Sequence, residues 1–219
     1  MCCKCLICGE ETEYYFKKKF DLKTLPSAEY YRCKNCGFVF SKTHYEMDES
    51  DWEQLNAEVH KDFYAEKLIY EHQPPFLEQA LFFHILAINK VIKENMWLDY
   101  GAGLGRLSSI LREYFGKSMY SYDKYINPVN NPSDTIVDIS FLKGHKFDLV
   151  FSSAVLEHIR NLDPIEEMLS YLSDGGAFAF HTLVCENIPK DPAWFYLFPV
   201  HCSFFTNRSM AILMEKYNM

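Results

Sequence analysis

The 219-residue sequence predicts an α/β protein, a doubly wound, mostly parallel sheet preceded by a small metal-stapled unit. Three observations lead there. Two Cys-x-x-Cys-Gly knuckles, Cys5-Leu6-Ile7-Cys8-Gly9 and Cys33-Lys34-Asn35-Cys36-Gly37, open the chain. A glycine-rich turn, Gly101-Ala102-Gly103-Leu104-Gly105, follows a short apolar run. Beyond that turn, short apolar runs alternate with segments of helical period.

The knuckles predict a zinc ribbon over residues 1–43, with Cys5, Cys8, Cys33 and Cys36 as ligands. Each knuckle aims two thiolates the same way, and its glycine removes a Cβ where the backbone bends. Between them lie a β-prone stretch at 13–20, a turn near Pro26 and a second strand at 29–32; Phe38-Val39-Phe40 follows the second knuckle. A unit this small buries too little to fold alone, so the metal supplies the missing stability. Cys2 and Cys3 are substitute ligands or neighbours, and Cys185 and Cys202 read as structural or unpaired.

Residues 44–95 read as a linker and helices covering the active site: a polar, acidic stretch at 44–54, helical spacing over 55–72, and a break at Pro74-Pro75. An apolar stripe of helical period follows over 76–93. Residues 96–219 form the core. Strands are expected at 96–100, 119–122, 135–137, 147–151 and 177–183, with helices at 105–114 and 166–172.

Composition narrows the function. A hydrophobic share of 48% and a charged share of 24% describe a globular chain rather than a disordered one. The aromatic share, 16%, points to an aromatic core or an aromatic-lined pocket. The net charge is −8, and zinc on four thiolates takes it to about −10, which argues against a nucleic-acid partner. Lys17-Lys18-Lys19 is read as a solvated loop or strand edge rather than a local basic patch. No run approaches a membrane span and no secretory signal opens the chain, while paired knuckles among eight cysteines suit a reducing cytoplasm.

The glycine turn carries the chemistry. Glycines there let a backbone approach a nucleotide-like ligand, and the following helix N-terminus faces it. Asp123 closes the next strand, where a carboxylate suits ribose hydroxyls. Spacing alone fits dinucleotides as well as S-adenosylmethionine.

Trp97-Leu98-Asp99-Tyr100-Gly101-Ala102-Gly103-Leu104-Gly105-Arg106-Leu107 resembles the first motif of class I S-adenosylmethionine-dependent methyltransferases. Phe147 to Ile159, which contains Leu156-Glu157-His158-Ile159, resembles their fourth-strand motif, and Leu172 to Phe178 the loop entering their fifth strand. The resemblance implies a Rossmann-like methyltransferase fold. It implies that Gly101, Gly103 and Gly105 cradle the methionine part of the cofactor and that Asp99 orients the loop or the amino group. Asp123 would bind the ribose, Asp138 would face the adenine amino group, and Ser152 and Ser153 would line the cofactor. For each of these acids the competing reading is a helix cap or a surface turn.

Methyl transfer asks for positioning, and for a base only when the acceptor must lose a proton. His158, His181 and His201 lie on or near C-terminal strand ends, where ligands bind in open α/β sheets. His201 stands in Phe198-Pro199-Val200-His201-Cys202-Ser203-Phe204-Phe205-Thr206, which resembles a substrate-side segment of methyltransferases acting on sugars and small metabolites. His201 is the first candidate base and His158 the second; Glu157 and Tyr196 are weaker candidates. Zinc unit and core together are similar to sugar C-methyltransferases, which carry a further C-terminal domain and closing antiparallel strands not evident before Met219. Either the version is truncated or shortened, or those strands are supplied from elsewhere in the chain.

The expected function is methylation of a small hydroxylated acceptor, a sugar or sugar nucleotide. The alternatives are a zinc-ribbon RNA methyltransferase, against which stand the acidity and the misplaced Asn131-Pro132, and a catalytically inactive cofactor-binding scaffold.

Overall fold

A computed structural model describes residues 4–65, 75–126 and 135–219; Cys2, Cys3, positions 66–72 of the expected helix and Asn131-Pro132 lie outside them. The chain divides into two compact units.

The first unit comprises Met1–Lys67, Leu156–Leu162 and Leu183–Met219. Its five-stranded sheet runs β1-β2-β3-β9-β8, with β1 (Thr12–Lys19), β2 (Ser27–Cys33), β3 (Val39–Ser41), β8 (Val184–Cys185) and β9 (Ser203–Thr206). The first three strands pair antiparallel, and the register Thr12↔Cys33 brings the two knuckles together. β9 adds antiparallel to β3 through Val39↔Phe204 and Phe40↔Ser203. The strands expected between the knuckles are thus present, a third forms at Val39–Ser41, and their sheet is extended by the C-terminal segment, which the sequence alone placed with the core. One face packs Phe16, Tyr30, Trp52, Leu55, Leu197 and Phe204 into a buried aromatic cluster.

The stretch read as a linker is instead mostly helical. Ser41 caps α1 (Lys42–Tyr45) by accepting from the His44 amide, and α2 (Glu49–Ala65) begins six residues earlier than the helical spacing suggested. Two causes act together. Glu49 and Asp51 complement the dipole of the first turn, and Trp52 and Leu55, three apart, enter the aromatic core.

The second unit comprises Leu68–Val155 and Asp163–Thr182. Its sheet, of order β5-β4-β6-β7, is parallel throughout, formed by β4 (Trp97–Tyr100), β5 (Tyr120–Tyr122), β6 (Phe147–Ser153) and β7 (Leu172–His181). Every residue of β6 is buried, as a central parallel strand requires. Helices α3 (Phe76–Ile88), α4 (Arg106–Phe115), α5 (Ile139–Lys143) and α6 (Asp163–Ser170) complete the unit. Phe83, Ala80 and Ala87 of α3 pack with Leu107 and Leu111 of α4 and with Trp97, Leu149 and Phe151 of the sheet. The strand expected at 135–137 contracts to a single parallel bridge, Ser121↔Ile136, because Asp138 already caps α5. The strand order and the repeated β-α units make this a Rossmann-like, doubly wound sheet.

Candidate functional site

The glycine turn leaves the C-terminal end of β4 and becomes the first turn of α4. Gly101, Gly103 and Gly105 all have left-handed φ, at +76°, +53° and +70°. A Cβ on Gly103 would meet nothing within 4 Å, so the loop's outer edge is open backbone that a ligand can approach. The loop is held from its other side. The amides of Gly101 and Ala102 donate to the Tyr122 carbonyl at 2.8 and 3.0 Å, and the Gly103 amide donates to Asp123 Oδ2 at 2.9 Å. Asp123 Oδ1 accepts from the Tyr125 amide at 2.8 Å. The carboxylate expected at the ribose therefore also braces the glycine turn.

Asp99, inside β4, is buried. Burial, and secondarily the charge of Asp123, push its carboxyl up to about 7. Such a group gains from a cationic neighbour, which would restore its charge. Ser152 is fully buried, and its hydroxyl has no hydrogen-bond partner among the described residues. Ser153 points to the other face of β6 and accepts from Gln79 Nε2 of α3 at 2.9 Å. His181 Nδ1 lies 3.4 Å from the same hydroxyl. Gln79 escaped the sequence reading; its one signal was a polar side chain on a buried helix face. Asp138 N-caps α5, accepting from the Phe141 amide at 2.9 Å, and that bond holds its exposed carboxyl below the usual range. The open glycine turn is the part of this site that a ligand can approach.

In the first unit, the sulfurs of Cys5, Cys8, Cys33 and Cys36 all lie within 4.8 Å of one another. Cys5 and Cys36 Sγ are 3.7 Å apart, and Cys8 and Cys33 Sγ 3.4 Å. Tetrahedral Zn–S bonds of about 2.3 Å put sulfurs about 3.8 Å apart, so the four could hold one zinc ion. Gly9 and Gly37, with φ near +73° and +74°, close the knuckles by donating to the carbonyls of Cys5 and Cys33. The knuckle grips the C-terminal segment: Thr206 Oγ1 donates to the Cys36 carbonyl at 2.5 Å, and Arg208 to Asn35 Oδ1 at 2.6 Å.

The same unit gathers both candidate bases. Glu157 and His158 lie in a 3-10 turn at Leu156–His158, just after β6, and His201 two residues before β9. The Cys202 amide donates to the Glu157 carbonyl at 2.8 Å, tying the two segments together. The rings of His158 and His201 meet edge to face with centroids 4.8 Å apart. Tyr196 Oη donates to Glu157 Oε1 at 2.5 Å. His201 Nδ1 donates to the Tyr196 carbonyl at 2.9 Å, and His158 bonds the Val200 backbone. Burial lowers both imidazoles, strongly for His158. His60, which the sequence reading passed over, stands beside His158 with ring centroids 6.0 Å apart. His44 is different: buried, lowered to about 4 chiefly by that burial, and bonded to Ser41 and to the Pro199 carbonyl, it is a packing residue.

The plantazolicin methyltransferase BpumL, solved with a monoazolic desmethylPZN analog and SAH, superimposes with a TM-score of 0.51 at 14% identity, over 77% of each chain. DesVI of Streptomyces venezuelae gives 0.40 at 18% identity over 64% of this chain and 60% of its own. An S-adenosylmethionine-dependent methyltransferase from Clostridium acetobutylicum gives 0.37 at 15% identity over 58% of this chain and 56% of its own. The chain thus spans about three fifths of the length of DesVI. No curated protein matches in sequence. A family described as a methyltransferase domain matches residues 64–219, well over half of the chain. The chain therefore belongs to the methyltransferase-domain family.

Proposed function

We propose that this protein binds S-adenosylmethionine at the glycine turn and methylates a small hydroxylated acceptor, a sugar or sugar nucleotide. The observation that carries the cofactor reading is the open turn of three left-handed glycines, braced through the Gly103 amide by Asp123. Bound there, the cofactor supplies a sulfonium-activated methyl group. Asp99 would hold the ammonium of its methionine part, Asp123 and Asp138 the ribose and adenine, and Ser152 would find in it the partner its hydroxyl lacks. The SAH bound in BpumL supports the choice of cofactor class. Cys5, Cys8, Cys33 and Cys36 would hold zinc as a staple.

The acceptor reading rests on the segment around His201 and its union with the cysteine unit. A neutral His201, its Nδ1–H spent on the Tyr196 carbonyl, presents the Nε2 lone pair to an acceptor hydroxyl. Among the described residues no helix is long and apolar enough to cross a membrane.

Calorimetric titration of the zinc-loaded chain with S-adenosylhomocysteine, NAD serving as control, tests the cofactor reading. Saturable binding of the first alone is expected, weakened at least tenfold by Asp123→Ala. No binding by the folded wild-type chain would refute the enzyme reading; binding without turnover on any sugar nucleotide would leave a cofactor-binding scaffold.

A further inference from the structure

Glu157, His158 and His201 do more than offer a base. Their donor atoms lie within 4.8 Å of one another, and together with the four cysteines they form the metal-competent groupings among the described residues. We propose that this triad is a second metal site, for a divalent first-row transition ion of zinc type.

The argument starts with protonation. A carbonyl only accepts, so His201 Nδ1 must carry the proton of its 2.9 Å bond to Tyr196, and Nε2 keeps a lone pair. His158 likewise spends one ring N–H on the Val200 backbone, leaving its other nitrogen as a donor. Glu157 is steadied by the Tyr196 hydroxyl at 2.5 Å. Each prospective ligand thus has an outer partner that fixes its orientation: two carbonyls for the imidazoles and a phenol for the carboxylate. That is the supporting arrangement metal-binding histidines and carboxylates ordinarily have. Tyr196 serves two of the three ligands, one through its hydroxyl and one through its carbonyl.

Charge and access agree. Two neutral imidazoles and one carboxylate give a net −1, which suits a dication with one open position. The carboxylate is buried and both histidines are partly buried, keeping some surface through which an ion could reach them. Donors on one tetrahedral ion stand about 3.3 Å apart, so the triad closes by side-chain shifts of about an ångström. The remaining position takes water or an acceptor hydroxyl, whose pKa the ion would lower. An imidazole that ligates has no lone pair for a proton, so in the loaded site a hydroxyl at the open position would be acidified by the ion and would release its proton to solvent water rather than to His201. Metal binding itself stands on the triad alone, independent of the methyl-transfer reading.

The test uses the full chain, stripped by chelator under reducing conditions and titrated with Co²⁺, then Zn²⁺. The cysteine site gives intense thiolate-to-cobalt charge-transfer bands; a second equivalent with d–d absorption but no thiolate band is expected. His201→Gln should weaken that second equivalent at least a hundredfold and leave the thiolate bands intact, which also certifies the fold of the unit. Tyr196→Phe, which keeps the ring and removes only the hydroxyl, should weaken it about tenfold. Saturation of the wild type at the cysteine equivalent would overturn the proposal, as would unchanged second-site affinity in a folded His201→Gln or Tyr196→Phe chain. S-adenosylhomocysteine binding measured on the same preparations reports separately on the cofactor reading.

Discussion

A methyl group on Gly101 would lie 2.3 Å from Val155 Cγ2, at a φ of +76° that L-residues avoid. Both faults act on one substitution. Gly101→Ala is expected to cost about 2–4 kcal/mol in denaturant unfolding, with partial recovery in Gly101→Ala/Val155→Ala, since shortening Val155 removes the clash but not the backbone strain. Equal loss in the single and double variants would show that the contact is not the cause. Asp99 has the opposite character. Its folded-state carboxyl, at about 7, lies above the value near 3.8 of an unfolded aspartate. The folded chain therefore holds the proton more tightly, and stability is fullest below pH 4 and declines as pH rises towards 7 and beyond. The decline is up to about 4 kcal/mol for this group. Asp99→Asn should accordingly raise the melting temperature at pH 8 and change it little at pH 4, while weakening S-adenosylhomocysteine binding. An Asp99→Asn melting temperature below wild type at pH 8 would contradict the assignment. The glycines and both acids could be read from the motif; the clash and the displaced pKa could not, because Val155 and the burial of Asp99 belong to the packed state.

At the scale of elements, the second knuckle, β3 and β9 form one mechanical chain. Cys36 is bonded to Thr206, β3 is paired with β9, and the Ser41 amide donates to the Cys202 carbonyl at 2.8 Å, one residue from His201. Stripping the cysteine-bound metal should therefore deprotect the β9 amides in hydrogen exchange and disturb the His158–His201 pair. Protection of residues 203–206 that survives complete metal removal would show that the sheet is self-sufficient. Cys33→Ser should act as metal removal does. The knuckles and the strands between them follow from spacing and alternation. The start of α2 does not, since a polar, acidic run reads as linker until Trp52 and Leu55 are seen to share a core. The third expected strand failed for a local reason, a cap at Asp138 competing with further pairing.

Across the whole molecule, one compact unit is assembled from three separated stretches of chain, Met1–Lys67, Leu156–Leu162 and Leu183–Met219, and the other is more nearly continuous. A fragment ending at Lys67 lacks β8, β9 and α7 (Asn207–Lys216) as well as Leu197 and Phe204 of the aromatic core. Such a fragment is expected to bind zinc at its knuckles yet show no protected β3 amides; a fully protected fragment would mean that the first forty residues fold alone. The sequence by itself determined the cysteine staple, the glycine turn with Asp99 and Asp123, and the strand-helix alternation of the parallel sheet. These follow from covalent geometry, left-handed backbone positions and side-chain period, all of which act within a few residues. Only the tertiary structure decided that the strand beside β3 in the N-terminal sheet comes from residues 203–206, and that Glu157, His158, Tyr196 and His201 converge. Such pairings join residues far apart in the chain, and what selects them is the burial of one shared aromatic core, which no local pattern encodes.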